Sequence, residues 1–161
     1  MEKTEIRSGR YLVTTDRSRL DIEAIHDFLS REAYWSHGIP LSTLRRSIEN
    51  SLCFGLFEDD RQIGFARVIS DLATVGYLGD VYILDSHRTR GLSRMLLDAV
   101  FAHPELQNLR RWILLTSSAD WLYRKYGFTS LSRPEIYLER FDPEVYARVG
   151  NESPLTPSRT T

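Results

Sequence analysis

The segment His87-Arg88-Thr89-Arg90-Gly91-Leu92-Ser93-Arg94 carries three arginines and no acid, with a glycine just ahead of an amphipathic run. A helix N-terminus offers unpaired N–H groups and partial positive charge, a glycine lets a ligand approach the backbone, and guanidinium groups add charge-assisted hydrogen bonds. The segment reads either as a cradle for a phosphate or pyrophosphate or as a solvated basic loop. Its place after a central strand favours the cradle, because α/β sheets bind ligands beyond the carboxyl ends of their strands. Asp80 is the best-placed acid, on one strand face with Leu78, Tyr82 and Leu84. If Asp71 pairs with Gly76 across the preceding turn, the register brings Arg67 opposite Asp80. An arginine neighbour lowers a carboxylate's pKa and weakens it as a base, so a structural ion pair is favoured over a general-base role. Tyr34, Trp35, Ser36 and His37 form an aromatic cluster in a linker. Such a cluster can hold an amine by cation–π contact, with His37 relaying a proton, or Trp35 can simply anchor the loop to the core. Cys53 sits in the apolar run Leu52-Cys53-Phe54, where a thiol is inert, and no His, Cys, Asp or Glu spacing suggests a metal.

Periodicity supplies the elements that must position these groups. Tyr11–Thr14 reads as a strand, Ile22, Ile25 and Leu29 mark a helix, and Ser42 can cap a second helix with Leu41, Leu44 and Ile48 inward. Two helices therefore flank the aromatic loop. Leu52 to Phe57, a charged turn at residues 58–61, Gln62 to Ser70 and Val75 to Leu84 read as an antiparallel meander. Leu92, Met95, Leu96, Ala99 and Val100 fall at helical spacing between Gly91 and His103, and Pro104 ends that helix. Trp112 to Thr116 reads as a buried strand. Ala119 to Tyr126 follows as a short helix with Gly127 as its C-cap, and residues 128–141 read as a closing hairpin. The expected fold is α/β, a mixed, mostly antiparallel central sheet flanked by helices.

Composition bounds what such a fold can do. With 161 residues, 42% hydrophobic and 27% charged, the chain fits one domain over residues 1–150, with a polar tail at 151–161 expected to be flexible. A net charge of −1 gives no overall basic footprint, so nucleic acid is not the expected partner. A single cysteine excludes an intrachain disulfide framework. Met1 to Arg7 lack the apolar core of a signal peptide, and no apolar run approaches the ~20 residues of a membrane span. A cytoplasmic protein with no membrane partner is expected.

Val81 through Leu97 resembles the acyl-CoA-binding motif of the GNAT superfamily of N-acetyltransferases, Arg/Gln-x-x-Gly-x-Gly/Ala at a helix start. Arg88 and Gly91 match its first arginine and middle glycine. Thr89 stands where glycine is common, and would be strained at positive φ; Ser93 replaces the last small residue. Trp121-Leu122-Tyr123-Arg124-Lys125-Tyr126-Gly127-Phe128 is similar to the family's late-helix signature, Leu-Tyr-x-Lys-x-Gly-Phe. Two motifs in order cover roughly residues 10 to 141 with the strands between them, as in small single-domain bacterial members.

The resemblance implies acetyl-CoA as co-substrate, no metal, and a cradle of Arg88, Thr89, Arg90, Gly91, Leu92 and Ser93. It implies a thioester oxyanion site at the backbone of Val81, Tyr82 and Ile83, and an acceptor pocket under the loop of Tyr34, Trp35 and His37. Tyr123 falls on the general-acid position; its other reading is an aromatic packing the short helix on the sheet, and Tyr126 reads as core. An ammonium acceptor near pKa 10.4 must lose about 3.4 pH units of protonation at neutrality, about 4.6 kcal/mol, so a base or a water chain helps. With no nucleophile in view, direct attack of a small-molecule or peptide amine in a ternary complex is expected. The alternative is a non-catalytic acyl-CoA-binding or protein-interaction domain. The family's tendency also allows a homodimer.

Overall fold

The computed structural model describes residues 3–151. From residue 152 onward, the expected tail lies outside the described residues. Six strands lie side by side in chain order: β1 (Glu5–Ser8), β2 (Tyr11–Thr14), β3 (Leu52–Glu58), β4 (Arg61–Ser70), β5 (Val75–Ile83) and β6 (Arg111–Leu114). Neighbours are antiparallel from β1 to β5, and β5 pairs with β6 in parallel. That parallel junction needs a crossover, which the longest helix supplies.

Two cores cover the two faces of the sheet. On one face α3 (Leu92–Ala102) buries Leu92, Leu96, Leu97, Ala99 and Val100 against Phe54, Ala66, Val68 and Leu78. On the other, α1 (Ile22–Asp27), a π-type turn at Phe28–Glu32 and α2 (Leu41–Glu49) bury Ile25, Leu29, Leu44 and Ile48 with Phe65 and Tyr82. Each fully buried leucine of this kind contributes roughly 1.5–3 kcal/mol. The Phe28 ring stacks on Tyr82 at 3.8 Å, joining the first helical layer to β5. No helix among the described residues is long and apolar enough to cross a membrane.

The structure departs from the sequence-based elements at the ends of the sheet. β1 was not expected, because Glu5–Ser8 is exposed throughout and has no apolar alternation. α2 starts after Pro40, not at Ser42, and Leu41 is only half-buried. β6 is shorter than expected and half-buried, because it is the last strand in the sheet. Residues 128–141 form no hairpin: they contain only a 3-10 turn at Pro134–Ile136, after the short helix α4 (Asp120–Arg124). Pro134 lacks the N–H a ladder needs. A final helix, α5 (Val145–Asn151), closes the described chain and brings Tyr146 to the second core.

Candidate active site

β5 runs directly into the basic loop. Gly91 caps α3 at φ +74°, and Thr89 also lies in the left-handed region at φ +65°. Alternating left-handed residues turn successive N–H groups into one concavity, a nest suited to an anion. Thr89 therefore does adopt the strained backbone that its family-typical glycine would take without cost. Beneath the loop, the buried His87 bonds Glu58 through Nε2 at 2.8 Å and Ser86 Oγ through Nδ1 at 2.8 Å. That His87 bond holds the Glu58 carboxyl below the usual carboxylate range, with Arg10 and Arg90 adding in the same direction. Arg90 also donates to the Tyr11 hydroxyl at 3.4 Å, and Arg88 pairs with Asp85 at 2.8 Å. The cradle is thus moored to β2 and β3 while its arginines remain largely exposed.

Upstream of the cradle the sheet opens. β5 pairs with β6 only from Val75 to Leu78, yet β5 continues to Ile83 while β6 ends at Leu114. Beyond Gly79 the side of β5 that faces away from β4 has no strand beside it, so a wedge opens between the two strands. On the other side a bulge shifts the β4–β5 register between Phe65↔Tyr82 and Arg67↔Gly79, and Asp80 takes φ +53°. The extra residue breaks the alternation expected from sequence. Leu78 packs in the α3 core and Tyr82 in the opposite one, so the two do not share a face with Asp80 as expected. Val81, Tyr82 and Ile83 form the stretch just past this bulge.

Arg67 and Asp80 nevertheless meet. Arg67 Nε donates to Asp80 Oδ2 at 2.7 Å, with both side chains largely buried, and Arg67 also donates to Ser51 Oγ at 3.1 Å. The second carboxylate oxygen accepts from Trp35 Nε1 at 3.1 Å. Across the wedge, the Tyr34 hydroxyl accepts from Ser117 N–H at 3.3 Å and lies 2.6 Å from Ser117 Oγ. The two rings meet edge-on at 5.2 Å. Tyr34 and Trp35 therefore form a strap, tied to β5 by Asp80 and to the chain after β6 by Ser117. His37 is exposed and takes no part in it.

Tyr123 is buried on α4 and packs edge-on against Phe128 at 6.1 Å. It lines a trough of about 810 Å³ together with Tyr77, Leu114, Thr116 and Asp120. Burial, with Tyr34 nearby, holds its phenol above the usual range. Tyr126 instead donates to Asp98 at 2.8 Å and packs at a tilt against Phe101. Burial pushes the Cys53 thiol up to about 12, so it stays a thiol at neutral pH. Among the described residues no cluster of His, Cys, Asp and Glu could hold a metal ion.

A cradle at a helix start, a wedge upstream of it and, after β6, a buried tyrosine lining a trough along that strand make up the arrangement, and comparison with known proteins gives it a name. The profile of the acetyltransferase (GNAT) domain matches residues 49–130, which span the wedge, the cradle and α4. The chain belongs to the GNAT acetyltransferases. A Gibberella zeae protein whose name assigns it to the acetyltransferases is 34% identical over 139 residues, covering 73% of this chain and 77% of its own. A solved GNAT-family structure from Xanthomonas campestris pv. campestris has 53% identity and a TM-score of 0.83, covering 85% of this chain and 96% of that one. A Clostridium acetobutylicum structure, solved with acetyl-CoA, shares the fold at 19% identity and a TM-score of 0.59, covering 87% of this chain and 95% of its own.

Several residues of this GNAT site were not singled out from sequence. Ser117 and Ser51 are serines whose partners lie 83 and 16 residues away, so no local signal marks them. His87 and Glu58 were visible as types, but their pairing depends on the β3 turn meeting the cradle.

Proposed function

We propose that this chain is an N-acetyltransferase, transferring the acetyl group of acetyl-CoA to a primary amine of a small molecule or peptide by direct attack in a ternary complex in the cytoplasm. The observation that carries the reading is the wedge between β5 and β6, with the nest of Thr89 and Gly91 following it in the chain. The residues present fit acetyl-CoA: the nest and the N-terminus of α3 suit a pyrophosphate, with Arg88, Arg90 and Ser93 as donors and Leu92 seating the helix on the core. The open side of β5 suits an extended pantetheine arm, since unpaired strand groups can bond an added chain.

Acetyl-CoA supplies an activated acyl group, and the chain's own residues do the rest. Within the stretch Val81, Tyr82 and Ile83, the Tyr82 N–H turns toward Phe65 on β4, and the N–H groups on the open side of β5 face charge developing on the carbonyl oxygen. Tyr123 donates toward the departing sulfur, whose conjugate thiol has a pKa near 8.5. Its raised pKa keeps the proton in place through the neutral range and makes it a weak acid, suited to a hydrogen bond that strengthens as charge builds. Both carboxylate oxygens of Asp80 are engaged, one by Arg67 and one by Trp35, so its work is to fix Trp35, and the amine loses its proton to water in the wedge. Tyr34 and Trp35 roof the acceptor side and offer ring faces to a cation.

The test is binding. Gly91→Asp places a negative charge where the pyrophosphate is assigned; a Cβ there meets nothing within 4 Å but is strained at φ +74°, so Gly91→Asn, with the same strain and no charge, is the control that should still bind. Titration of coenzyme A into wild type should show binding, and into Gly91→Asp none. Equal affinity in the two would remove the cradle assignment, and tight binding by a wild type that acetylates no amine would favour the non-catalytic alternative.

A further inference from the structure

The loop between β6 and α4 is thinly held. Among the described residues, 116–118 take part in no main-chain hydrogen bond, and Ser117 and Ser118 are exposed. Two side-chain contacts fix the loop. The Thr116 hydroxyl accepts from the Ala119 N–H at 3.1 Å, a tie within the loop itself. The other comes from across the wedge, where the N–H and the hydroxyl of Ser117 converge on the Tyr34 hydroxyl at 3.3 and 2.6 Å. The Tyr34 side of this clasp is the firmer one. Its loop closes on itself through the Gly38 N–H to the Ser30 carbonyl at 2.9 Å and the buried Ser36 hydroxyl to the Leu29 carbonyl at 2.8 Å, and Trp35 is tied to Asp80. A firmly bonded loop thus holds a loosely bonded one.

We propose that Tyr34 is a positioning residue for acetyl transfer: clasped to Ser117, its hydroxyl fixes the start of α4 and thereby the place of the Tyr123 hydroxyl. On the acetyl-transfer reading, on which this rests, Tyr123 is the acid and Tyr34 acts through it. α4 is little more than one helical turn, and the Tyr123 N–H donates to the Ala119 carbonyl at 3.4 Å, so the place of Tyr123 follows from where residues 117–119 are set. Downstream, Phe128 packs on the Tyr123 ring and donates its N–H to the Tyr123 carbonyl at 3.3 Å; upstream, the clasp does the holding. The two phenols are neighbours: burial is the larger cause of the raised Tyr123 phenol, and Tyr34 the second. A reacting group misplaced by about 1 Å can cost about 10²-fold in rate, so one hydrogen bond at the start of a short helix matters more to the reaction than to the fold. The strap that offers its rings to the amine therefore also holds the acid.

Tyr34→Phe removes one hydroxyl from a side chain that is 64% exposed and leaves its ring against Trp35, so circular dichroism should match wild type. With saturating acetyl-CoA and amine, its single-turnover rate should fall about 10- to 100-fold, with coenzyme A affinity and the amine KM near wild type. Ser117→Ala should lower the rate in the same way. The decisive arm is the Tyr123→Phe background, where Tyr34→Phe should cost nothing further because the hydroxyl it positions is gone. Hydrogen exchange needs no turnover: amides of residues 117–123 should exchange faster in Tyr34→Phe and Ser117→Ala than in wild type, with α3 unchanged. A Tyr34→Phe rate equal to wild type overturns the proposal, as does a loss of equal size in both backgrounds, a change confined to the amine KM, or unaltered exchange of those amides. A Tyr123→Phe variant as fast as wild type removes the acid itself and any role of Tyr34 through it, whereas a slow Tyr123→Phe beside an unaffected Tyr34→Phe removes Tyr34 alone.

Discussion

Thr89 shows how one residue carries both a cost and a purpose. A β-branched residue at φ +65° is an outlier, and the left-handed region costs a non-glycine residue of order 1–2 kcal/mol. The Thr89 hydroxyl offsets part of this by donating to the Arg88 carbonyl at 2.6 Å. The conformation persists because His87 and Arg90 on either side are moored to Glu58 and Tyr11. Thr89→Gly removes the strain and adds unfolded-chain entropy, so a net gain of about 1 kcal/mol is expected, a rise in Tm of about 2–4 °C. Thermal unfolding checks it; a fall in Tm would mean that the threonine side chain, not the surrounding anchors, holds the loop.

At the scale of elements, the bulge in β5 and the strap above it position the acceptor side. Arg67 and Asp80 bind across that bulge, and Trp35 takes the remaining carboxylate oxygen. Because the pair is largely buried, a double-mutant cycle on stability with Arg67→Met and Asp80→Asn should give a coupling of about 1–3 kcal/mol. A coupling within error would free Asp80 for a role as the base. The pair was legible in the sequence for a reason only half right. The register read from Asp71 and Gly76 holds at Phe65↔Tyr82, but nearer the hairpin Ser70 pairs with Gly76, one residue out of step. The bulge absorbs the difference, and Asp80, as its extra residue, still faces Arg67. The helix after Gly91 and the meander of β3 to β5 were legible because their apolar spacing is long and regular. The closing hairpin was misread because alternation in residues 136–141 signals a strand, whereas Pro134 withholds a ladder N–H and the chain turns through Pro134–Ile136 instead. The aromatic cluster of the strap was visible in the sequence, but its ties to Asp80 and Ser117 were not, since Tyr34 and Ser117 meet only once the whole sheet is formed.

At the scale of the molecule, a near-neutral chain concentrates basic groups at one loop, opens its sheet beside that loop and sets a buried tyrosine on the short helix that follows the last strand. The parallel junction of β5 and β6 makes this possible: pairing stops at Leu78 and Leu114, and α3 and α4 take the chain away on either side. The central claim is that this opening is a site of acetyl transfer in which Tyr123 protonates the departing sulfur. Tyr123→Phe removes only the hydroxyl, so the ring keeps its packing on Phe128 and Tm should stay near wild type. The direct measurement is the single-turnover rate of acetyl transfer to an accepted amine, which product release does not mask. The variant should react about 10²- to 10⁴-fold more slowly with unchanged coenzyme A affinity, the span of a general acid. In wild type the rate should show no loss of this acid below about pH 10, because the folded phenol titrates above its ordinary value. A Tyr123→Phe variant that transfers acetyl at the wild-type single-turnover rate would contradict the account.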